Sequence, residues 1–438
     1  MAKILLNSID VIGKTMAGPS IRYWEFAKAL SKNHEVILLI PNEIEVSSND
    51  FTIIQKTANY RKYFKQVDAI ITMSVSPSMA WAAKRHGVKI IFDAYVPMPI
   101  EMFEMHKDSP MELRKKEQKT ISEAFNFSFR MADGVICANA SQRDLWTGML
   151  LSQKKIDPAM YDNDILLKNV IDLVPFGLSS TPPQKKGEGP KSIFNLKETD
   201  KIVLWGGGIW NWFDPLTLIK AIHQISLVRK DIHLVFMGVK VPSTCPDTQF
   251  IMNMPSRAYE LAKELNLLNR HVFFNPGWTP YEQRTSFLLE SDIGVSTHYD
   301  HLETRYAFRT RILDYIWAGL PIISTEGDSF SKLVAEKEIG LVVPYEDSHA
   351  IAKAITYIID NPQIVKKMKE NLETVRQEFY WEKLVRPIEE MIASKQPIKS
   401  KWADLKHIIH SVYQVRGALF PFKIVMNRIL QRLGLVRI

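Results

Sequence analysis

The sequence predicts an α/β fold of two Rossmann-like domains facing each other across a cleft, followed by a basic amphipathic C-terminal tail. Three observations lead there. The chain has 438 residues, more than one hydrophobic core usually supports, so two domains are expected. Short apolar runs alternate with longer helical patterns, as in βαβ units. That alternation is interrupted by the Pro/Gly/Lys-rich stretch PFGLSSTPPQKKGEGPKS from Pro175, and then starts again.

The first domain, residues 1–180, opens with KILLNSI from Lys3 as a buried strand. The segment PSIRYWEFAKALSKN places Ile21, Trp24, Phe26, Ala27 and Leu30 at helical spacing. Strands EVILLIP, AIITMS, KIIFDAY and GVICAN follow. The second domain, residues 190–378, repeats the pattern with KIVLWGGG, DIHLVFMG, HVFFNPG, DIGVST, LPIIST and GLVVP. Residues 379–394 read as a helix returning toward the first domain, and residues 395–438 as the tail. In doubly wound sheets ligands sit beyond the carboxyl ends of the strands, so those ends are where the chemistry is expected.

Composition narrows the class. The apolar fraction is 46% and the charged fraction 24%, close to soluble globular averages, which excludes disordered and fibrous chains. Cys137 and Cys245 stand far apart without metal or disulfide spacing. The N-terminus runs directly into a strand pattern, unlike a signal peptide, and no apolar run is long enough to span a bilayer, so a cytoplasmic location is expected. The formal charge of +8 is carried by the tail, where nine basic residues face one acid, Asp404. A neutral body with a basic, apolar tail argues against nucleic-acid binding and for an anionic membrane surface, peripheral at the inner face.

The richest segment runs from Asp292 to Thr325. DIGVST reads as a strand, a polar acid-bearing loop follows, YAFRTRILDYIWAG reads as one helix ended by Gly319, and LPIIST is the next strand. A ligand at the loop meets the helix N-terminus, where free N–H groups and the macrodipole favour phosphate. Arg305, Arg309 and Arg311 crowd that first turn, the wrong sign for helix stability and the right sign for a bound anion.

The order acidic loop, Phe, helix, acid, AGLP resembles the donor-site signature of the retaining glycosyltransferases of family four, whose architecture is the two-domain GT-B fold. WGGGIWNWFDP and FRTRILDYIWAGLP mark a divergent subgroup. The resemblance implies that Asp314, at the family's second acid position, binds the ribose hydroxyls. Tyr306 occupies the first acid position, which leaves Glu303 as the substitute that reaches the donor sugar, with Thr304 beside it. Phe308 matches the family's Phe, and the backbone of Arg309, Thr310 and Arg311 is expected to face the distal phosphate. The Arg and Lys that the family places after the first strand of the second domain are missing from GGGIWNWFDP. Arg309 and Arg311, with Lys240, are therefore expected to neutralise the diphosphate. Gly207 and Gly208 in that turn, and Gly18 in TMAGPSIRYW, are expected to let the backbone approach the donor. Asp93 in FDAYVPM stands where the family has a polar sugar contact.

The implied activity is transfer of a sugar from a nucleoside diphosphate to a glycan or lipid-linked hydroxyl acceptor with retention, in cell-surface glycan or glycolipid synthesis. The nucleotide sugar is the substrate, and neither metal nor cofactor is expected. The alternatives are a two-lobed sugar-nucleotide epimerase and a non-catalytic nucleotide-sugar binding module. Other motifs read more plainly. GGGIWNW breaks the GxGxxG pattern at Asn211, which argues against a dinucleotide. IGKT lacks the upstream glycine of a P-loop, and Asp162-Asn163-Asp164 falls in a polar connector. Ser141 reads as a helix cap. His298 and His301 read either as acid/base groups or as loop histidines, and Trp210 and Trp212 either as core or as stacking surfaces.

Overall fold

The computed structural model describes residues 1–57, 59–238 and 253–394. Lys240, Cys245 and the tail from 395 to 438 lie outside the described residues. Two wholly parallel sheets form two α/β domains. The first contains β1 (Lys3–Asn7), β2 (Glu35–Ile40), β3 (Thr52–Gln55), β4 (Ala69–Thr72), β5 (Lys89–Asp93), β6 (Gly134–Cys137) and β7 (Ile171–Leu173), in the order β3-β2-β1-β4-β5-β6-β7. The second contains β8 (Lys201–Trp205), β9 (Ile232–Phe236), β10 (Val272–Phe274), β11 (Ile293–Ser296), β12 (Ile322–Thr325) and β13 (Gly340–Val343), in the order β10-β9-β8-β11-β12-β13.

Helices cover both faces of each sheet, so central strands are buried on both sides and read as unbroken apolar runs such as Ala69–Thr72 and Ile232–Phe236. Strand order reverses between β1 and β4 and between β8 and β11. The loops leaving β1 and β8 are therefore the natural ligand loops, and both line the same cleft between the domains.

Three expectations change. The edge strand β3 and the three-residue β7 were not expected. The helix expected over YAFRTRILDYIWAG is broken: one helix runs Leu302–Tyr306 and another Thr310–Ala318, with Ala307 extended at ψ 153°. Phe308 fills the break and packs on Phe330 with ring centroids 4.7 Å apart. Glu303 consequently sits in a short helix instead of a loop.

The chain returns to the first domain after Arg376. Leu178 N–H donates to Phe379 O at 2.7 Å and Trp381 N–H to Leu178 O at 3.1 Å, pairing the outgoing and returning segments. Trp381 then wedges between Phe26 and Phe176, with centroids 5.5 and 5.0 Å away. Lys89 Nζ donates to the carbonyls of Met391 and Ile392, both at 2.9 Å, and so caps the end of helix Arg386–Ala393.

Candidate active site

The cleft between the two sheets encloses about 330 Å³. The second domain supplies its glycine turn, Gly206–Gly208. Gly207 has φ +79°, a left-handed conformation that side chains resist, so glycine is required there. Tyr315 holds the turn from below: its buried hydroxyl accepts from Gly206 N–H at 2.7 Å and lies 3.0 Å from Leu204 O and 2.9 Å from Val295 O. Gly294 makes room for the Tyr315 ring, which a Cβ would meet at 2.3 Å.

Arg311 lies in the first turn of helix Thr310–Ala318, and its guanidinium faces the rings of Phe213 and Trp205 at 3.9 and 4.4 Å. One Nη donates to Gly208 O at 2.7 Å, while Nη1 has no hydrogen-bond partner. Among the described residues Arg311 has no acidic partner. Burial, with Arg309 nearby, pulls it down to about 9. A buried cation at a helix N-terminus, beside a glycine turn and on the wall of a cleft, has a charge and a geometry that favour an anion.

Arg309 differs from the sequence expectation of a free phosphate ligand. It is paired with Glu303, its two Nη atoms donating at 2.7 and 2.6 Å in a bidentate pair, while its Nε lies 3.7 Å from Asp328 Oδ2, too far for a hydrogen bond. Burial pushes the Asp328 carboxyl up, but His298 and Arg309 together hold it below the ordinary range. His298 is fully buried, 3.4 Å from Asp328, so it belongs to this internal network. Both Arg309 and Glu303 line the cleft, yet each neutralises the other. Thr304 is buried, donates to Tyr299 O at 2.8 Å, and is absent from the cleft wall, contrary to a donor-binding role. His301 caps helix Leu302–Tyr306 through Nδ1, with Nε2 3.2 Å from Trp212 O; burial lowers it, which suits a neutral ring.

Asp93 needs the largest correction. It is buried beneath the cleft and does not line it, because Arg22 grips both carboxylate oxygens at 2.8 and 3.0 Å. Arg22 also donates to Val174 O at 2.8 Å and Pro175 O at 3.0 Å, and lies over the rings of Phe26 and Tyr95 at 4.4 and 4.6 Å. The pair fastens the first helix to β5 and to the start of the linker. Asp314 does line the cleft, partly exposed, with Arg284 Nε at 3.3 Å. Phe308, Thr310, Gly207, Gly208 and Gly18 line it too. Arg305 is exposed and outside the lining.

Sequence reasoning missed several cleft groups. Arg284 stacks on Tyr281 at 3.8 Å, and Tyr281 reaches across to Glu25 at 2.9 Å. Trp278 donates to Met16 O at 3.0 Å, joining the domains. Trp210 and Trp212, which the sequence left open as core or as stacking surfaces, stack at 5.4 Å and both line the cleft. Glu101, from helix Met98–Met105, lines it from the first domain; the only signal was a lone acid in the apolar run PMPIEMF after β5. Asp162-Asn163-Asp164 closes helix Pro158–Asn163, away from the cleft, and Asp164 accepts from Asn169 N at 2.8 Å. Ser141 is not a cap; Asn139 caps the helix at Ala140 and also donates to Ala307 O at 3.0 Å.

The second domain carries a family signature. Residues 191–375 match the family model of the Glycosyl transferases group 1. Solved structures share the whole two-domain architecture. Sucrose-phosphate synthase from Thermosynechococcus elongatus superposes with TM-score 0.62 at 18% identity, covering 89% of this chain and 98% of that one. Anabaena HepE in complex with UDP-glucose gives 0.56 at 14%, covering 90% and 100%. The α,α-trehalose 6-phosphate synthase of Burkholderia multivorans gives 0.57 at 12%, covering 91% and 99%. No curated protein matches by sequence. The group 1 glycosyltransferase match falls on the domain that holds Arg311, Asp314 and the glycine turn, and the fold of the chain is GT-B.

Proposed function

We propose that the chain is a nucleotide-sugar-dependent glycosyltransferase that moves a sugar from a nucleoside diphosphate to an acceptor hydroxyl with retention. The observation that carries this is Arg311: a buried cation with no acid beside it among the described residues, at a helix N-terminus, over the glycine turn of the family-matched domain. The donor diphosphate supplies the missing anion. As the bond from sugar to diphosphate breaks, negative charge grows on the departing phosphate, and Arg311 with the N–H groups of Thr310 and Arg311 stabilises it where it forms. This scheme calls for no metal. Asp314 accepts the ribose hydroxyls, with Arg284 setting its orientation.

HepE was crystallised with UDP-glucose, so UDP and UDP-glucose are the first ligands to measure. Calorimetry should show UDP binding that Arg311→Ala weakens about thirtyfold, corresponding to one charge-assisted bond of about 2 kcal/mol. Undiminished UDP affinity in that variant would sink the assignment. UDP binding without turnover on any acceptor would favour a non-catalytic module, and isomerised sugar nucleotide without transfer an epimerase.

The basic tail supports placing the enzyme at the cytoplasmic face of an anionic membrane, with a lipid-borne glycan as acceptor and a role in cell-surface glycan or glycolipid synthesis. Deleting residues 395–438 should abolish sedimentation with phosphatidylglycerol vesicles; retained sedimentation removes the basis for that placement.

A further inference from the structure

The first domain's wall of the cleft carries no positive charge among the described residues. Tyr95, Phe176, Ile21 and Met105 make it apolar, and its only carboxyl groups are Asp10 and Glu101. All three guanidinium groups of the cleft belong to the second domain, where Asp314 holds Arg284, Glu303 holds Arg309, and Arg311 faces the glycine turn.

We infer that the acceptor taken by this wall is an uncharged glycosyl unit, not a sugar phosphate or other anion, and that Glu101 receives its hydroxyl; the inference rests on the transferase reading of the same cleft. An anionic acceptor would lose its water against apolar side chains, beside Asp10 and without a counter-charge on this wall, which disfavours it. A neutral sugar places its apolar face on the rings and asks for a few hydroxyl partners. Glu101 accepts no hydrogen bond from a described residue, so its carboxyl is available. Desolvation first, then the charge of Glu303, pushes it up to about 8, with Arg309 opposing. At neutral pH it keeps its proton and both donates and accepts, matching a hydroxyl. Tyr95, after β5, also feels the Glu101 charge.

The test is saturation-transfer NMR on the full chain with UDP present. Methyl and octyl glycosides of glucose, galactose, mannose and N-acetylglucosamine are compared with the same sugars carrying a 6-phosphate. The octyl series separates a lipid-borne acceptor from a soluble glycan, and binding of either neutral class bears the inference out. Neutral glycosides should bind at least tenfold more tightly than the phosphates. Glu101→Ala should weaken them at least tenfold, and Glu101→Gln, which keeps a donor and an acceptor, should stay within threefold of wild type. Phosphates binding equally well, no neutral glycoside binding, or Gln as poor as Ala overturns the inference. UDP affinity in the same samples keeps the two readings apart: if UDP fails to bind, the transferase reading itself fails.

Discussion

Arg309 and Arg311 stand two residues apart and meet opposite environments, and the difference is measurable. Arg309 balances Glu303 and Asp328, both buried. Removing it as Arg309→Met strands two carboxylates and should cost about 3–5 kcal/mol in chemical denaturation, since breaking a buried pair leaves an uncompensated charge. Among the described residues Arg311 has no acid to strand, and its burial already disfavours its charge. Arg311→Met should therefore leave the denaturation midpoint within about 1 kcal/mol of wild type while UDP binding collapses. Equal stability losses in the two variants would contradict the contrast. Glu101 adds a pH signature. Its folded value, about 8, lies above the ordinary 4.5, so the folded chain holds a proton that the unfolded chain has released, and its contribution to stability declines as pH rises across that window. Acceptor-dependent kcat/KM should likewise fall above about pH 8, and Glu101→Gln should flatten that limb. An alkaline limb that persists unchanged in the Gln variant assigns it to another group. None of these environments was legible in the sequence: Arg305, Arg309 and Arg311 look alike in RYAFRTR, and only the fold pairs one, buries another unpaired and exposes the third.

At the level of elements, what was readable depended on whether local pattern and tertiary packing agree. The buried strands were legible because a parallel strand covered on both faces is an unbroken apolar run. β7 is three residues long and β3 lies at the edge with half-buried side chains, so neither leaves such a trace. The break at Ala307–Arg309 was hidden because YAFRTRILDYIWAG keeps helical periodicity throughout; the Phe308–Phe330 contact and the Glu303–Arg309 pair impose the break from outside the segment. The break matters, since it creates a fresh helix N-terminus at Thr310 in the cleft. Tyr315, on the same helix, transmits the position of that helix to the glycine turn through its bond to Gly206. Tyr315→Phe leaves the Gly206 N–H buried without its partner, so a loss of about 1–3 kcal/mol is expected. If the hydroxyl also sets the turn, the donor KM rises several-fold in the same variant. A stability loss with an unchanged donor KM would mean that the turn holds itself.

Across the whole molecule the two domains meet on both sides of the cleft through polar contacts that no single domain would need. Trp278 bonds Met16 O, and Tyr281 N–H donates to Lys14 O at 3.1 Å on one side. On the other, Gln142 donates to Tyr306 O at 2.8 Å and Asn139 to Ala307 O at 3.0 Å. The chain passes between them at the pair of segments joined at Leu178, Phe379 and Trp381. Polar interfaces between domains release readily, so closure is expected to be an equilibrium that a donor bridging the lobes would shift. Gln142 is the informative position, because it reaches the carbonyl that precedes the helix break and so couples closure to the placement of the Arg311 helix. Gln142→Ala forfeits the one hydrogen bond of this side chain that crosses between the domains, to Tyr306 O, worth about 1 kcal/mol, which is enough to favour the open form roughly fivefold. Small-angle scattering should then show a larger radius of gyration for the free variant than for free wild type, with UDP compacting the variant only at higher concentration. Identical profiles for the two free proteins would place the closing force elsewhere, in the Trp278 and Tyr281 contacts, and Trp278→Phe would then be the variant that opens.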